Sequence, residues 1–174
     1  DKVVLNAAGV EAFNKKIIAA SPTVYDMAAY PKTLSGKTVT AYVNTHTDLS
    51  DELYREGKLV SDNYKNILRS QTNAAAIPAE VTVRYGVTVR RANLRNLPTG
   101  EGLFFYASDR NFDALQETAL DPGEAVAILH TSTNGYFYYV QAYNYRGWLS
   151  KFDVAETDRS TWLRYAEPKN FLTV

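Results

Sequence analysis

The chain has 174 residues and is 45% hydrophobic, so it can bury a substantial core and is not of disordered composition. It carries 19 basic and 19 acidic residues, a balance that disfavours binding to nucleic acid or to an anionic membrane surface. No stretch is long and apolar enough to span a bilayer. Cysteine is absent, which excludes disulfides, thiolate metal sites and a cysteine nucleophile from these residues.

The first 78 residues are predicted to form short helices and loops. Asn6 is a suitable N-cap for a first helix, and Ser50 and Ser61 are suitable starts for two more. Residues 38–44 are rich in β-branched side chains and are predicted as a short strand or extended arm. None of these helices is long enough to be stable alone, so this region must pack on something larger. Residues 73–78 are the expected linker to the second half.

The stretch of residues 81–90 organises the rest of the chain. Its apolar and polar residues alternate, and this period predicts a half-buried strand. Gly86 lies in its middle, where glycine often marks a bulge or a close backbone approach. Pro98 then ends the strand segment that follows.

A long loop is predicted at residues 99–122, and irregular segments of this length are usually functional. An apolar strand is expected at residues 124–130 and a return strand at 136–143, joined by the hairpin signal Asn134-Gly135. Trp148 starts the last predicted strand. About five short strands over this length are typical of a small closed barrel or a tight sandwich.

Residues 158–167 are predicted to form one or two helical turns, ended by Pro168. Residues 170–174 resemble the opening of another strand. We therefore expect residues 158–174 to be a linker that leads toward a further domain.

Residues 93–99, NLRNLPT, resemble the signature strand of bacterial SH3-like domains. The remaining parts of that pattern follow in order: Gly123 before an apolar strand, the Asn134-Gly135 turn before an aromatic strand, and Gly147-Trp148-Leu149 at the close. The combined string of residues 84–99 and 112–142 is similar to the first barrel of multidomain cell-wall endopeptidases of the NlpC type.

The resemblance implies an α+β fold, in which a helical clip at residues 1–78 precedes a small all-β SH3-like barrel at 79–157. It implies an extracytoplasmic location, periplasmic or associated with the cell wall. It also implies two partners: the stem peptide or glycan of peptidoglycan, and a catalytic domain in the same parent chain. The family's nucleophilic cysteine is absent, so the chain is expected to be a non-catalytic binding and positioning module of a cysteine endopeptidase. Tyr136 or Phe137 stands near the position where many members have Trp.

No catalytic set is predicted within these residues, because nucleophilic catalysis needs a nucleophile, a base and an orienting group within reach. His130 ends an apolar strand and is expected to be structural, while His46 has no second ligand cluster with which to hold a metal. The segment Gly100-Glu101-Gly102 is too short to cradle a phosphate. No cofactor or metal site is predicted. Four acids of the long loop leave a glycosidase as an alternative: Asp109, Asp113, Glu117 and Asp121.

Aromatic side chains are the stronger candidates, because their faces stack on sugar rings and on peptide backbones. The predicted ligand-binding residues are Phe104, Phe105, Tyr106, Tyr138, Tyr143, Tyr145 and Trp148. About half of these rings are expected to be packing only, since one face of an aromatic strand must be buried. A generic peptide- or protein-interaction module, unrelated to the cell wall, is the alternative function.

A basic run lies on and after the organising strand. Arg84 and Arg90 are predicted to form cross-strand pairs with acids, and Arg95 to hold the following loop in place. A contact from this run, which includes Arg91, to peptide carboxylates is the functional alternative.

Overall fold

The computed structural model describes residues 4–45 and 47–168. The helices among them are α1 (Ala7–Ala20), α2 (Gly36–Asn44), α3 (Asp62–Ser70) and α4 (Arg159–Ala166). Short 3₁₀ turns lie at Ala74–Ala76 and Lys151–Asp153. The strands are β1 (Thr33–Ser35), β2 (Tyr54–Arg55), β3 (Lys58–Leu59), β4 (Glu80–Thr82), β5 (Arg84–Thr88), β6 (Ala92–Arg95), β7 (Gln116–Leu120), β8 (Ala125–Thr131), β9 (Phe137–Gln141), β10 (Arg146–Ser150) and β11 (Val154–Thr157).

Seven strands, β5 to β11, form one antiparallel sheet in the order β11-β5-β8-β9-β10-β6-β7. Val154 of the first strand in this order and Leu120 of the last belong to the same buried cluster. Because side chains from both ends of the sheet meet in one cluster, the sheet curls around it as a small barrel. The predicted α+β fold, with a small barrel after short helices, is confirmed.

The outer face of the barrel is also covered. Tyr139 and Trp148 point away from the barrel interior and pack with Met27, Val39 and Val43 of the N-terminal region, residues 4–78. Trp162 of α4 joins this cluster and is fully buried, and its indole Nε1 donates a hydrogen bond to the carbonyl of Val126 at 3.1 Å. The sheet is therefore enclosed on both faces over β5, β8, β9 and β10.

Three predicted helix starts are confirmed. The side chains of Asn6, Ser61 and Asp158 each accept a hydrogen bond from a backbone amide in the first turn of α1, α3 and α4.

The bulge or close backbone approach predicted at Gly86 is not found, because the register of β5 runs through this residue without a shift and its close neighbours are side chains. A Cβ atom at Gly86 would lie 2.5 Å from Cγ1 of Val154 on the neighbouring strand β11, so a larger residue would have to displace that valine.

The predicted strand at residues 38–44 is wrong, since this segment is the helix α2. Val39 and Val43 lie one helical turn apart and are both buried. Ser35 caps the helix by accepting a hydrogen bond from the amide of Thr38 at 3.1 Å. Burial of the two valines against the barrel outweighs the strand preference of β-branched residues.

The predicted helix beginning at Ser50 is also wrong. The segment forms the hairpin of β2 and β3, with a two-residue turn in which Glu56 has φ 51° and Gly57 has φ 79°. Positive φ at both central residues is the geometry of a type I′ hairpin turn. Gly57 therefore makes a turn rather than ending a helix.

Three strand assignments differ from the prediction. The stretch of residues 81–90 is divided at Val83, so that β4 pairs with β1 while β5 pairs with β8 and β11. The predicted loop of residues 99–122 contains β7, and β11 follows the strand predicted to be last.

Within residues 158–168, the helix predicted from the sequence is α4, and its packing against β5 and β8 buries Trp162. The strand opening predicted at residues 170–174 and the histidine His46 lie outside the described residues. Over the part of the chain that the structure describes, no helix has the length and apolar character needed to cross a bilayer.

Candidate functional site

The seven aromatic residues predicted to bind a ligand lie in three different places. Two of them belong to strands, and the other five lie in the loop between β6 and β7 or in the turn between β9 and β10. Tyr138 and Trp148 lie in strands. The β6–β7 loop contains Phe104, Phe105 and Tyr106, and the β9–β10 turn contains Tyr143 and Tyr145.

The two strand residues are part of the core. Trp148 has 0% of its surface exposed and packs edge-on against Tyr139, with ring centroids 5.1 Å apart. Tyr138 is 7% exposed and its ring packs in the cluster inside the barrel, while its hydroxyl donates at 2.5 Å to Oε1 of Glu156, whose side chain is exposed. Arg84 lies over its ring at 4.9 Å. Neither ring is open to a ligand at the surface.

The β6–β7 loop presents its rings to solvent. Phe105 is 49% exposed and Tyr106 is 71% exposed. Phe112 of the same loop, which is not among the predicted ligand-binding residues, is 78% exposed. Phe104 is half-buried because its backbone pairs with Tyr54 of β2 through hydrogen bonds of 2.7 and 2.9 Å. We call residues 96–115 the aromatic loop.

Leucine side chains fix the aromatic loop to the N-terminal region. The leucines of the loop pack in one buried cluster with apolar residues of the N-terminal region. These residues flank the β2–β3 hairpin or lie in α3. The cluster consists of Leu97, Leu103 and Leu115 from the loop and Leu49, Leu53, Val60 and Leu68 from the N-terminal region. The loop is therefore held by apolar contacts at its two ends and in its middle.

A buried ion pair closes the base of the aromatic loop. The guanidinium of Arg95 lies 2.7 Å from the carboxylate of Asp113 and also donates to the carbonyl of Glu101 at 2.6 Å. Asp113 Oδ1 accepts from the amides of Leu103 and Leu115 at 3.1 and 3.0 Å. The predicted structural role of Arg95 is confirmed.

A charged cluster flanks the exposed rings. Arg55 of β2 pairs with Glu101 at 2.6 Å, and the hydroxyl of Tyr64 donates to the same carboxylate. Burial, followed by the hydrogen bond to Glu101, raises the pKa of Tyr64 to about 12. Two cavities of about 270 and 210 Å³ adjoin this cluster, and both are lined by Arg55 and Glu56.

Tyr143 and Tyr145 lie on a different surface from the aromatic loop. The carbonyl of Tyr143 accepts a hydrogen bond from the amide of Tyr25 at 2.7 Å, which ties the β9–β10 turn to the N-terminal region. The cavities that these two tyrosines line share no residue with the two beside Arg55. The seven predicted residues therefore do not form one groove.

The remaining arginines of the basic run are paired with acids. Arg84 lies 2.8 Å from Glu156 across β5 and β11, and Arg90 lies 3.3 Å from Asp153. The cross-strand pair predicted for Arg84 is confirmed. Arg90 pairs with an acid as predicted, but the two residues lie just outside β5 and β11. Arg91 pairs with Asp121 at 2.5 Å.

Between residues 4 and 168, His46 excepted, the structure contains no cluster of histidine and acidic side chains that could hold a metal ion. Nε2 of His130 lies 3.0 Å from the carbonyl of Asn73, and burial lowers the pKa of this histidine. Its contact fixes the linker to the end of β8, which fits the structural role expected for it.

Comparison with known proteins supports the fold. Residues 103–150 match the model of the SH3 domain of the SH3b1 type, and no curated protein matches the chain. Among solved structures, the chain is similar to an NlpC/P60 endopeptidase from Photobacterium damselae subsp. piscicida, with a TM-score of 0.70 and 19% identity. The similarity covers 94% of this chain and 40% of that one, so the chain spans less than half of that protein's length.

The predicted bacterial SH3-like domain is thus confirmed. The matched segment begins within the aromatic loop, at Leu103, and ends with β10, so most of the aromatic loop and four barrel strands fall inside it. The solved structure shares the fold of both the N-terminal region and the barrel, because the similarity extends over nearly the whole chain.

Proposed function

We propose that this chain is a non-catalytic module that binds and positions peptidoglycan for a catalytic domain of the same parent protein, an endopeptidase of the NlpC type. The SH3b1 domain and the fold shared with an NlpC/P60 endopeptidase support the proposal. In this role the protein works outside the cytoplasm, at the cell wall or in the periplasm, and its ligand is the stem peptide or the glycan.

The observation that carries the proposal is the exposure of Phe105, Tyr106 and Phe112 on one anchored loop. Exposed aromatic faces suit sugar rings and extended peptides, and each stacked ring adds about 1 kcal/mol beyond the area that it buries. The ion pair of Arg95 with Asp113 holds the loop in one conformation before a ligand arrives. Less conformational entropy is then lost on binding.

The N-terminal region has a defined part in this function. Its side chains complete the leucine cluster under the aromatic loop, and Arg55 and Tyr64 both bind the carboxylate of Glu101 in that loop. A barrel without this region would lose four of the seven buried residues of the cluster that supports the loop. The helices thus serve as a brace for the binding surface.

Co-sedimentation with purified peptidoglycan tests the proposal. We expect the wild-type chain to sediment with the polymer and the triple variant Phe105→Ala, Tyr106→Ala, Phe112→Ala to bind at least about tenfold more weakly. The matched control is the double variant Tyr136→Ala, Phe152→Ala. These two exposed rings lie outside the aromatic loop and pack against each other, with their ring centroids 6.0 Å apart.

Equal sedimentation of the triple variant and the wild type would contradict the assignment of the loop. A wild-type chain that ignores peptidoglycan but binds unrelated extended peptides would favour the alternative, a generic peptide-interaction module.

A further inference from the structure

A cavity of about 560 Å³ lies between the N-terminal region and the β9–β10 turn. Thr23 and Thr45 line it from the N-terminal region, and Glu117, Gln141 and Arg146 line it from the barrel. Its volume falls within the range of about 300–1,000 Å³ that is usual for small-molecule sites. It is separate from the aromatic loop, because none of its lining residues belongs to that loop.

Arg146 is fixed in this cavity by neutral groups. Its Nε donates to Gln141 Oε1 at 2.6 Å, one Nη donates to the hydroxyl of Tyr25 at 2.7 Å, and its guanidinium lies 3.3 Å from the ring centroid of Tyr42. A guanidinium has five N–H donors, and these contacts use two of them. Stacking on an aromatic face leaves the edge of the fork open for a planar anion.

The absence of an acid beside Arg146 distinguishes it from most of the other arginines of the barrel. Four of those arginines each have a carboxylate partner: Arg84, Arg90, Arg91 and Arg95. The fifth, Arg110, is exposed and donates to the carbonyls of Ala107 and Asp109 within the aromatic loop. Arg146 forms an ion pair with no carboxylate of residues 4–45 and 47–168. A positioned, half-buried guanidinium without an anion is the donor set that recognises a carboxylate through two parallel hydrogen bonds.

Glu117 of β7 lines the same cavity and, over the same residues, has no cationic partner either. One cation and one anion therefore face a common space without neutralising each other. A ligand with a carboxylate at one end and an ammonium at the other would satisfy both charges at once.

We propose that this cavity binds a small zwitterion, either an amino acid or a short peptide with free ends, with its carboxylate on Arg146 and its ammonium toward Glu117. The site is independent of the proposed peptidoglycan surface, because it uses other residues and a soluble ligand. Failure of one proposal leaves the other standing.

Isothermal titration calorimetry of the full chain with unblocked dialanine tests the site, with the ligand raised to about 1 mM. The carboxylate contact predicts that dialanine amide binds at least about tenfold more weakly, because the charged hydrogen bonds to Arg146 are lost. N-acetyl-dialanine is expected to bind several-fold more weakly. Titrations of alanine and trialanine then distinguish a free amino acid from a peptide as the natural ligand.

Two variants test the residues, each with a matched control. Arg146→Gln is expected to weaken dialanine binding at least about tenfold, and Glu117→Gln several-fold. The controls Arg164→Gln and Glu80→Gln change exposed side chains outside the cavity and should leave binding unchanged. Arg146 also joins Tyr25 to Gln141, so circular dichroism checks that its variant folds; if it does not, Glu117→Gln and the blocked ligands decide. No binding of alanine, dialanine or trialanine, equal binding of the blocked ligands, or wild-type affinity in Glu117→Gln would overturn the proposal.

Discussion

The aromatic rings of the strands and those of the aromatic loop have opposite environments. Tyr138 and Tyr139 are neighbours on β9, yet both are buried, one inside the barrel and the other against the N-terminal region. Phe105, Tyr106 and Phe112 belong to a segment that leaves the sheet, and all three are exposed. When both faces of a sheet are covered, the residues that alternate along a strand point to opposite faces but are all buried.

This difference assigns separate tasks to the two groups of rings. The strand rings join the barrel to the N-terminal region, and the loop rings are free for a ligand. The predictions below test this division, beginning with the change expected to have the largest effect.

Trp148→Ala is expected to lower the free energy of unfolding by about 3–5 kcal/mol, because it leaves a large cavity where the barrel meets the N-terminal region. Tyr136→Ala, an exposed ring on the β8–β9 turn, should change it by less than about 1 kcal/mol. Urea denaturation followed by circular dichroism measures both. Similar small losses in the two variants would show that the strand ring is not core.

Asp113→Ala is expected to destabilise the protein by about 3 kcal/mol, since it leaves Arg95 buried without its partner. Hydrogen exchange should accelerate at the amides of Leu103 and Leu115, which donate to this carboxylate. Asp121→Ala, which breaks the exposed pair with Arg91, is the control and should cost less than about 1 kcal/mol. Unchanged exchange in the aromatic loop would remove the anchoring role of the ion pair.

Gly57→Ala is expected to cost about 1 kcal/mol, because Gly57 has φ 79° in the β2–β3 turn. Gly100→Ala is the control: a Cβ atom added there would meet no atom within 4 Å, and the φ of Gly100 is not in the left-handed region. Equal stability of the two variants would contradict the positive φ of Gly57 in this turn. Thermal melts of the two variants measure the difference.

Alkaline pH is expected to weaken the fold. Folding raises the pKa of Tyr64 from its usual value near 10 to about 12. Between these two pH values the folded state keeps a proton that the unfolded state releases. The contribution of Tyr64 to stability is complete below about pH 10 and is lost as the pH rises toward about 12. Tyr64→Phe should flatten this part of the stability–pH profile, whereas Tyr106→Phe, on an exposed ring, should not change it.

Local signals predicted much of this fold. The helix starts at Asn6, Ser61 and Asp158 depend on a few neighbouring residues, and the structure confirms them. The hairpin signal at residues 134–135 also holds, since these residues form the turn between β8 and β9.

The errors arose where distant contacts decide the outcome. The strand preference of residues 38–44 was overruled because Val39 and Val43, one turn apart, are both buried against the rest of the protein. The type I′ turn at Glu56 and Gly57 lacks the asparagine or aspartate that usually marks it.

The candidate site was predicted only in part. The long loop and its rings were identified from composition, but Phe112 was missed because it stands alone in the sequence, eight positions after Phe104. Trp148 is among the predicted ligand-binding rings, but the N-terminal region covers its face of the sheet and buries it. The packing of the N-terminal region over that face depends on contacts between residues more than a hundred positions apart, such as the hydrogen bond between Tyr25 and Arg146.

The most direct test of the account compares peptidoglycan affinity with stability in one variant. In Phe105→Ala, Tyr106→Ala, Phe112→Ala, the account predicts at least about a tenfold loss of co-sedimentation while the free energy of unfolding stays within about 1 kcal/mol of the wild type. Full retention of binding, or a loss of binding accompanied by an equivalent loss of stability, would contradict the claim that the loop rings serve the ligand and the strand rings serve the fold.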